Sequence, residues 1–283
     1  MRGGSFLAPA KLNLFLHVLR RRDDGYHDLQ TVFQLIDLCD RIDIEMTQDP
    51  AIRRDPPPTD PLLAALAPEA DLSVRAAQLL QRETGCQQGA RIHVDKHIPA
   101  GGGLGGGSSN AATVLLALNT LWSLDLPRER LAELGLSLGA DVPVFVMGHS
   151  AWAEGRGERL TPIDLPPAWY VVVQPAVSVS TAAVFQDPEL TRNTPPLTLR
   201  DFRAGGGRND CEPVVRRRYR EVAAALDWLS GFAPARLTGT GACGFAAFGT
   251  ENRAREVAAR APADLVARVA RGLDRSPVPG CAA

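Results

Sequence analysis

Pro99-Ala100-Gly101-Gly102-Gly103-Leu104-Gly105-Gly106-Gly107-Ser108-Ser109-Asn110 is the stretch whose reading decides the fold. Six of the seven residues from Gly101 to Gly107 are glycine. Glycine costs about 0.5–1 kcal/mol against alanine inside a regular element, so this density marks a backbone in shapes other residues resist, or one that a ligand approaches closely. Ahead of the run, Ala90 to Ile98 alternates Ile92, Val94 and Lys96 with Arg91, His93 and Asp95, the period of a strand. Behind it, Ala111, Val114, Leu115, Leu118 and Leu121 fall at the spacing of a long amphipathic helix. A loop entered by a strand and left by a helix offers an anion free N–H groups and the positive end of the helix dipole; the usual anion is phosphate. Ser108 and Ser109 stand at the helix start, where a hydroxyl can cap, touch a phosphate oxygen or hold a metal ion.

Other phosphate loops fit less well. Gly101 and Gly106 have Walker A spacing, but glycine (Gly107) stands where that motif needs lysine. The dinucleotide fingerprint matches formally at Gly101, Gly103 and Gly106. It lacks a second strand ending in an acid, because Asp125 sits in the non-strand-like Leu124-Asp125-Leu126-Pro127. The protein-kinase motif set is missing.

Outward from the loop, Lys11 to Leu19 alternates as a strand, with Leu12, Leu14, Leu16 and Val18 on one face and Lys11, Asn13, Phe15 and His17 on the other. Thr31 to Met46 predicts one or two further strands. Asp49 to Pro68 is a proline-rich loop with a short helical piece at Leu62–Leu66. Helices are predicted over Leu72–Thr84 (stopped by Gly85), Arg128–Leu138, Pro213–Leu229 and Glu251–Ala261. Strand-like runs cover Ser150–Glu154, Trp169–Val173, Gly244–Phe248 and Leu265–Val269, and Val142–Met147 is short and apolar. Alternating strands and helices give an α/β or α+β fold. A change of unit at Gly157–Pro167 divides the chain into expected domains at 1–160 and 161–283.

Composition narrows the class. The chain has 283 residues, 45% hydrophobic and 22% charged, as in an ordinary globular protein of about two domains. No apolar run approaches the roughly 20 residues of a membrane helix, and the start has no long apolar region of a secretory signal. Five cysteines, odd in number and without Cys-x-x-Cys, disfavour a disulfide framework or a cysteine zinc site; reduced thiols in the cytoplasm are expected. A net charge of −1 supplies no general attraction to nucleic acid or anionic membrane. Among 31 basic residues only Lys11 and Lys96 are lysine, a hint that a compact point charge is wanted there.

Individual residues keep two readings. Asp141, alone in the apolar Leu138-Gly139-Ala140-Asp141-Val142-Pro143-Val144, is either a turn or cap aspartate or a base beside a transferring phosphoryl group. Lys11 is either an exposed strand-end cation or a functional charge. Tyr26 and His27 either stack and bond a base or form an ordinary turn. Arg216 to Arg218 with Arg220 read as a solvated helix face. The second glycine-rich turn, Leu237 to Gly244, either packs against the first loop or makes a tight strand entry.

The stretch Pro99–Ser109 resembles the phosphate loop of the GHMP kinases, the superfamily of galactokinase, homoserine and mevalonate kinases. The likeness extends in order through Ala8–Leu14, Asp24–His27, Leu138–Phe145, Ala153–Gly155, Asn209-Asp210 and Thr238–Cys243. It implies a two-domain α/β (α+β) fold. The N-terminal nucleotide-binding domain would carry a left-handed β-α-β unit, the C-terminal domain would be ferredoxin-like, and the active site would lie in the cleft. The implied activity is transfer of phosphate from ATP, with Mg²⁺ accompanying the nucleotide, to the 2-hydroxyl of a cytidylated methylerythritol, by a monomer or homodimer. By the same resemblance Asp141 is the base and Lys11 its partner. Residues Pro99 to Ser109 with Lys96 bind ATP, and Ser108 or Ser109 meets the metal. Tyr26, His27 and Phe185 form a cytidine pocket with Asn13 and Thr181 as polar contacts. Three departures stand out: Asp71-Leu72-Ser73 replaces the family's usual Asn-Leu-Ile, Ser180-Thr181-Ala182 lacks the expected prolines, and the loop Asp55–Pro61 is unusually proline-rich, which implies a different closure over the nucleotide.

Overall fold

Two long strands open the chain, β1 (Gly3–Arg21) and β2 (His27–Thr47), joined by a turn at 22–26. The computed structural model describes residues 3–54, 64 and 66–277; the Asp55–Pro61 loop, most of the Leu62–Leu66 piece and Cys281 lie outside them. Then come β3 (Ile52–Arg54), a 3₁₀ turn (Pro68–Ala70), α1 (Leu72–Thr84), β4 (Gly89–Asp95), α2 (Gly106–Leu121), α3 (Arg128–Leu136) and α4 (Val142–Met147). The hairpin β5 (Ala151–Gly155) and β6 (Arg159–Pro162) leads to β7 (Trp169–Pro175), α5 (Thr181–Phe185), α6 (Leu199–Arg203), α7 (Glu212–Arg218) and α8 (Arg220–Ser230). The chain ends in β8 (Ala235–Leu237), β9 (Gly244–Phe248), α9 (Glu251–Ala258) and β10 (Leu265–Leu273).

β2 organises the sheet. One edge pairs antiparallel with β1, from Arg21↔His27 to Gly3↔Glu45. Its other edge is shared by β5 at residues 29–33, β10 at 35–36 and β4 at 41–47. A single strand with three successive partners explains why the sequence left one or two strands open here. β10 also pairs with β7, and β7 with β9, so strands from both ends of the chain join one sheet. The register of β1 shifts between Asn13 and Leu16, where Leu16 N–H donates to Arg208 O at 2.9 Å and Leu16 O accepts Asp210 N–H at 2.8 Å. That irregularity is a socket for the segment at 208–210.

One core packs Ile42, Ile44, Ile92 and Val94 of β2 and β4 against Leu80 of α1 and Val114 and Leu115 of α2. A second lies between β7 and β9 and helices α8 and α9. A third contains Leu12, Ile36, Ile98 and Leu104 together with Tyr170, Val172 and Phe245, so residues from both halves meet beneath the glycine loop. β1 buries both faces: Lys11, Asn13 and His17 are as hidden as Leu12 and Val18.

Several elements depart from their predicted bounds. β4 stops at Asp95 because Asp40 takes the N–H groups of His97 and Ile98, both at 2.8 Å, where a longer strand would pair them. The helix expected over Pro213–Leu229 breaks at Tyr219, which is extended (φ −129°, ψ 96°). Its arginines are tied down: Arg216 pairs with Glu212 and Asp227, and Arg217 and Arg218 both reach Asp187. α3 and α9 end at Leu136 and Ala258, short of the predicted 138 and 261.

Candidate active site

Two consecutive glycines at the mouth of α2 each face one of the chain's two lysines. A Cβ added at Gly105 would lie 3.1 Å from Lys11 Cε, and one at Gly106 2.9 Å from Lys96 Nζ. Bare backbone leaves room for both side chains this close to the helix start. The first N–H that the helix itself uses belongs to Ser109, which donates to Gly105 O at 2.8 Å. The N–H groups of Gly106, Gly107 and Ser108 lie ahead of that bond, in the turn where helices leave donors without intrahelical partners.

Lys11 is 3% exposed. Its Nζ donates to Asn13 Oδ1 at 2.5 Å and to Gly103 O at 2.9 Å, and lies 3.4 Å from Asp141 Oδ2. Its backbone N–H donates to Leu104 O at 3.0 Å, which fastens strand to loop. Asn13 is fixed in turn: Nδ2 donates to Thr31 Oγ1 at 2.9 Å, and its backbone N–H to Thr238 Oγ1 at 3.0 Å. Asp141 occupies the N-cap position of α4, yet its carboxylate makes no capping bond. The carboxylate faces Lys11 instead, a third exposed.

Lys96 has a different anchor. Its ammonium meets Asp40 Oδ2 at 2.5 Å, and Asp40 is wholly buried. Each lysine thus belongs to a separate lysine–carboxylate pair, one on either side of the helix mouth.

The second glycine-rich turn packs against the first loop. Ala242 N–H donates to Gly101 O at 3.2 Å, Cys243 N–H to Gly102 O at 3.1 Å and Thr238 Oγ1 to Gly103 O at 3.2 Å. Gly103 has φ +75°, and a Cβ there would lie 2.2 Å from Thr238 O. Part of the glycine density therefore serves backbone-to-backbone packing. Asn209 holds the turn from behind, Nδ2 donating to Leu237 O at 2.9 Å and Gly239 O at 2.8 Å. Asp210 accepts Val18 N–H at 2.8 Å.

A cavity of about 1000 Å³ opens between these parts. Every residue given a catalytic or ligand-binding role from the sequence lines it except Ser109, which is wholly buried. At one side His27 and Phe185 stack with ring centroids 5.1 Å apart and planes 26° apart. Arg192 Nε donates to His27 Nε2 at 3.1 Å. Burial, then the charges of Arg192 and Arg21, hold His27 below the ordinary histidine range. The ring is therefore neutral at neutral pH, with Nδ1 as its donor. Tyr26 is exposed to the cavity, and Thr181 Oγ1 lies 2.8 Å from Thr240 Oγ1. Asp71 caps α1 by accepting Ser73 N–H at 2.8 Å and pairs with Arg54 at 3.3 Å.

Sequence reading passed over Arg156 and Thr240, which also line the cavity. Their signal was present: Arg156 stands between two glycines, and Thr240 in the turn already noted. Among the described residues no group of three or more His, Cys, Asp or Glu side chains converges to hold a metal ion. A metal here would depend on the Ser108 hydroxyl and on oxygens of the nucleotide itself. Among the described residues no helix is long and apolar enough to cross a membrane, and Cys39, Cys86, Cys211 and Cys243 are free thiols.

A glycine loop opening a helix, with a lysine and a carboxylate at its mouth, defines a class. Models of the GHMP kinases N terminal domain and the GHMP kinases C terminal domain match residues 71–149 and 197–267. The chain belongs to the GHMP kinases. A 4-diphosphocytidyl-2-C-methyl-D-erythritol kinase of Thiobacillus denitrificans is 57% identical over 97% of this chain and 97% of its own length. The enzyme of that name from Chromohalobacter salexigens is 54% identical over 97% of this chain and 92% of its own. A solved 4-(cytidine 5'-diphospho)-2C-methyl-D-erythritol kinase superposes with a TM-score of 0.81 at 34% identity, covering 95% of this chain and 99% of that one. The mevalonate kinase of Methanococcus jannaschii, 15% identical with a TM-score of 0.67, shares the fold.

Proposed function

We propose that this chain transfers the γ-phosphoryl group of ATP to the 2-hydroxyl of 4-diphosphocytidyl-2-C-methyl-D-erythritol, giving the 2-phosphate and ADP, a step of non-mevalonate isoprenoid precursor synthesis. The observation that carries it is the position of Lys11, bonded to Gly103 O of the loop at 2.9 Å while 3.4 Å from Asp141. One ammonium thereby touches both the phosphate loop and the candidate base. The relatives' shared name and the His27–Phe185 stack beside Tyr26 support a cytidine-bearing acceptor.

Phosphoryl transfer needs positioning and neutralised charge more than covalent help from the protein. In this reading the N–H groups of Gly106, Gly107 and Ser108 and the Lys96 ammonium hold the triphosphate. Ser108 would meet a Mg²⁺ arriving with ATP, which would offset charge on the phosphate oxygens. Lys11 and Asp141 orient the acceptor hydroxyl. Its oxygen attacks the γ-phosphorus, the new O–P bond forms, and the bond to the β-phosphate oxygen breaks with its electron pair leaving on ADP. The hydroxyl proton passes to the Asp141 carboxylate.

An ADP-release assay tests the reading. Turnover is expected to require ATP and the cytidylated acceptor, and Asp141→Asn is expected to lower it by about 10²-fold or more while ATP still binds. Undiminished turnover in that variant removes Asp141 from the base role. Turnover on homoserine or mevalonate alone would overturn the substrate assignment.

A further inference from the structure

β5 pairs with β2 so that Gly155 lies opposite Leu29, which brings the turn into β6 alongside the turn that presents Tyr26. Arg156 occupies that tip. Its backbone N–H donates to Glu158 Oε2 at 2.5 Å, and its guanidinium carbon lies 4.8 Å from the centre of the Tyr26 ring. The next residue, Gly157, backs onto the neighbour of Asp141: a Cβ there would lie 3.9 Å from Ala140 O. Arg156 therefore stands half-buried between Tyr26 and the segment that carries Asp141, on the cavity wall. The nearby Arg20 and Arg22 are closed by Asp28. The guanidinium of Arg156 rests on an aromatic face; the Asp24 carboxylate, near enough to feel its charge, is itself paired with Arg22 at 3.0 Å. A guanidinium stacked this way keeps its in-plane N–H fork for a bidentate anion such as phosphate.

We propose that Arg156 grips the diphosphate linking cytidine to methylerythritol in the acceptor, and so makes the enzyme specific for acceptors that carry it. The inference rests on the reading above, in which the base lies at Tyr26 and His27 and the reacting hydroxyl at Asp141. A molecule held at both ends runs its linker between them, past Arg156. The charge of the linker meets a cation there, and the Tyr26 ring keeps that cation from folding away. Arg21, exposed at the same cavity, adds a second positive charge near the base.

The test compares cytidine, CMP and CDP as competitive inhibitors against the acceptor, in the wild type and in Arg156→Met, Arg156→Lys and the control Arg159→Met. Arg159 is exposed and outside the cavity, so that control removes the same charge without touching the wall. Wild type is expected to bind CDP at least about 10-fold more tightly than cytidine, the usual order for a charge-assisted pair. Arg156→Met is expected to erase most of that ratio while cytidine affinity changes by less than about 3-fold. Arg156→Lys should recover only part of it, and Arg159→Met should keep it whole. Equal weakening of cytidine and CDP would mean that Arg156 only props the Tyr26 ring, and would overturn the proposal. An unchanged ratio in Arg156→Met would overturn it too. If neither ligand competes in the wild type, the cytidine reading itself fails, an outcome distinct from both.

Discussion

Asp40 Oδ2 holds the Lys96 ammonium at 2.5 Å while its Oδ1 takes two backbone N–H groups from the same segment. The carboxylate thus sets both where β4 ends and where the ammonium points. Asp40→Asn keeps an acceptor for those N–H groups but removes the charge opposite Lys96. It is expected to raise the KM for ATP about 10-fold with a smaller change in kcat, and to lower stability by about 3 kcal/mol, as when one partner of a buried pair is lost. Lys96→Met should raise the same KM on its own. If Asp40 acts through Lys96, the double variant resembles Lys96→Met in KM, and some of the lost stability returns. Additive effects on KM in that double-mutant cycle would sink the relationship.

Gly103 is expected to be among the least replaceable glycines of the loop. Its left-handed backbone alone charges a side chain about 1–2 kcal/mol. The added methyl would meet Thr238 O at 2.2 Å, a backbone atom with nowhere to go. Gly103 O also accepts from Lys11, so displacing the loop moves the ammonium away from Asp141. Gly103→Ala should therefore lower both the unfolding midpoint and kcat. Gly107→Ala, whose Cβ would touch only Leu72 Cδ1 at 3.4 Å, should leave the unfolding midpoint nearly unchanged. Thermal unfolding and turnover of the two variants together check this.

The contrast shows what the sequence could and could not carry. Strand, glycine run and helix were legible around residues 90–121 because period and punctuation are local. α1 was legible to its last residue because Gly85 caps it in the left-handed conformation. The break at Tyr219 was not, because Val215, Val222 and Leu226 keep helical spacing across it. Lys11 stood out as one of only two lysines and Asp141 as the one acid of an apolar segment, each with an ordinary alternative reading. A backbone bond between residues 11 and 104 brings Lys11 to the loop, and the packing of α4 on α2 brings Asp141 there; no local pattern encodes either contact. Arg156 was hidden for the same reason: its partner Tyr26 lies 130 positions earlier, brought near by the register of β5 on β2.

His27 gives the site a pH dependence whose sign follows from its surroundings. The neutral ring accepts from Arg192 Nε, and protonation would set N–H against N–H beside two further positive charges, those of Arg192 and Arg21. Burial and those charges lower its pKa from the ordinary 6.5, so the neutral form persists to more acidic pH than in a free histidine. The KM for the cytidylated acceptor is therefore expected to stay flat as pH falls to about 6.5 and to rise only below it. The same shift costs stability on acidification, because the unfolded chain takes up this proton first. Arg192→Met removes one of the charges that lowers the pKa. It also removes the bond from Arg192 Nη2 to Phe185 O, so the KM itself should rise at every pH. The quantity to read is the inflection, which should move towards higher pH. A wild-type inflection at or above 6.5, or one that Arg192→Met does not move, would show that another group governs the acceptor's binding.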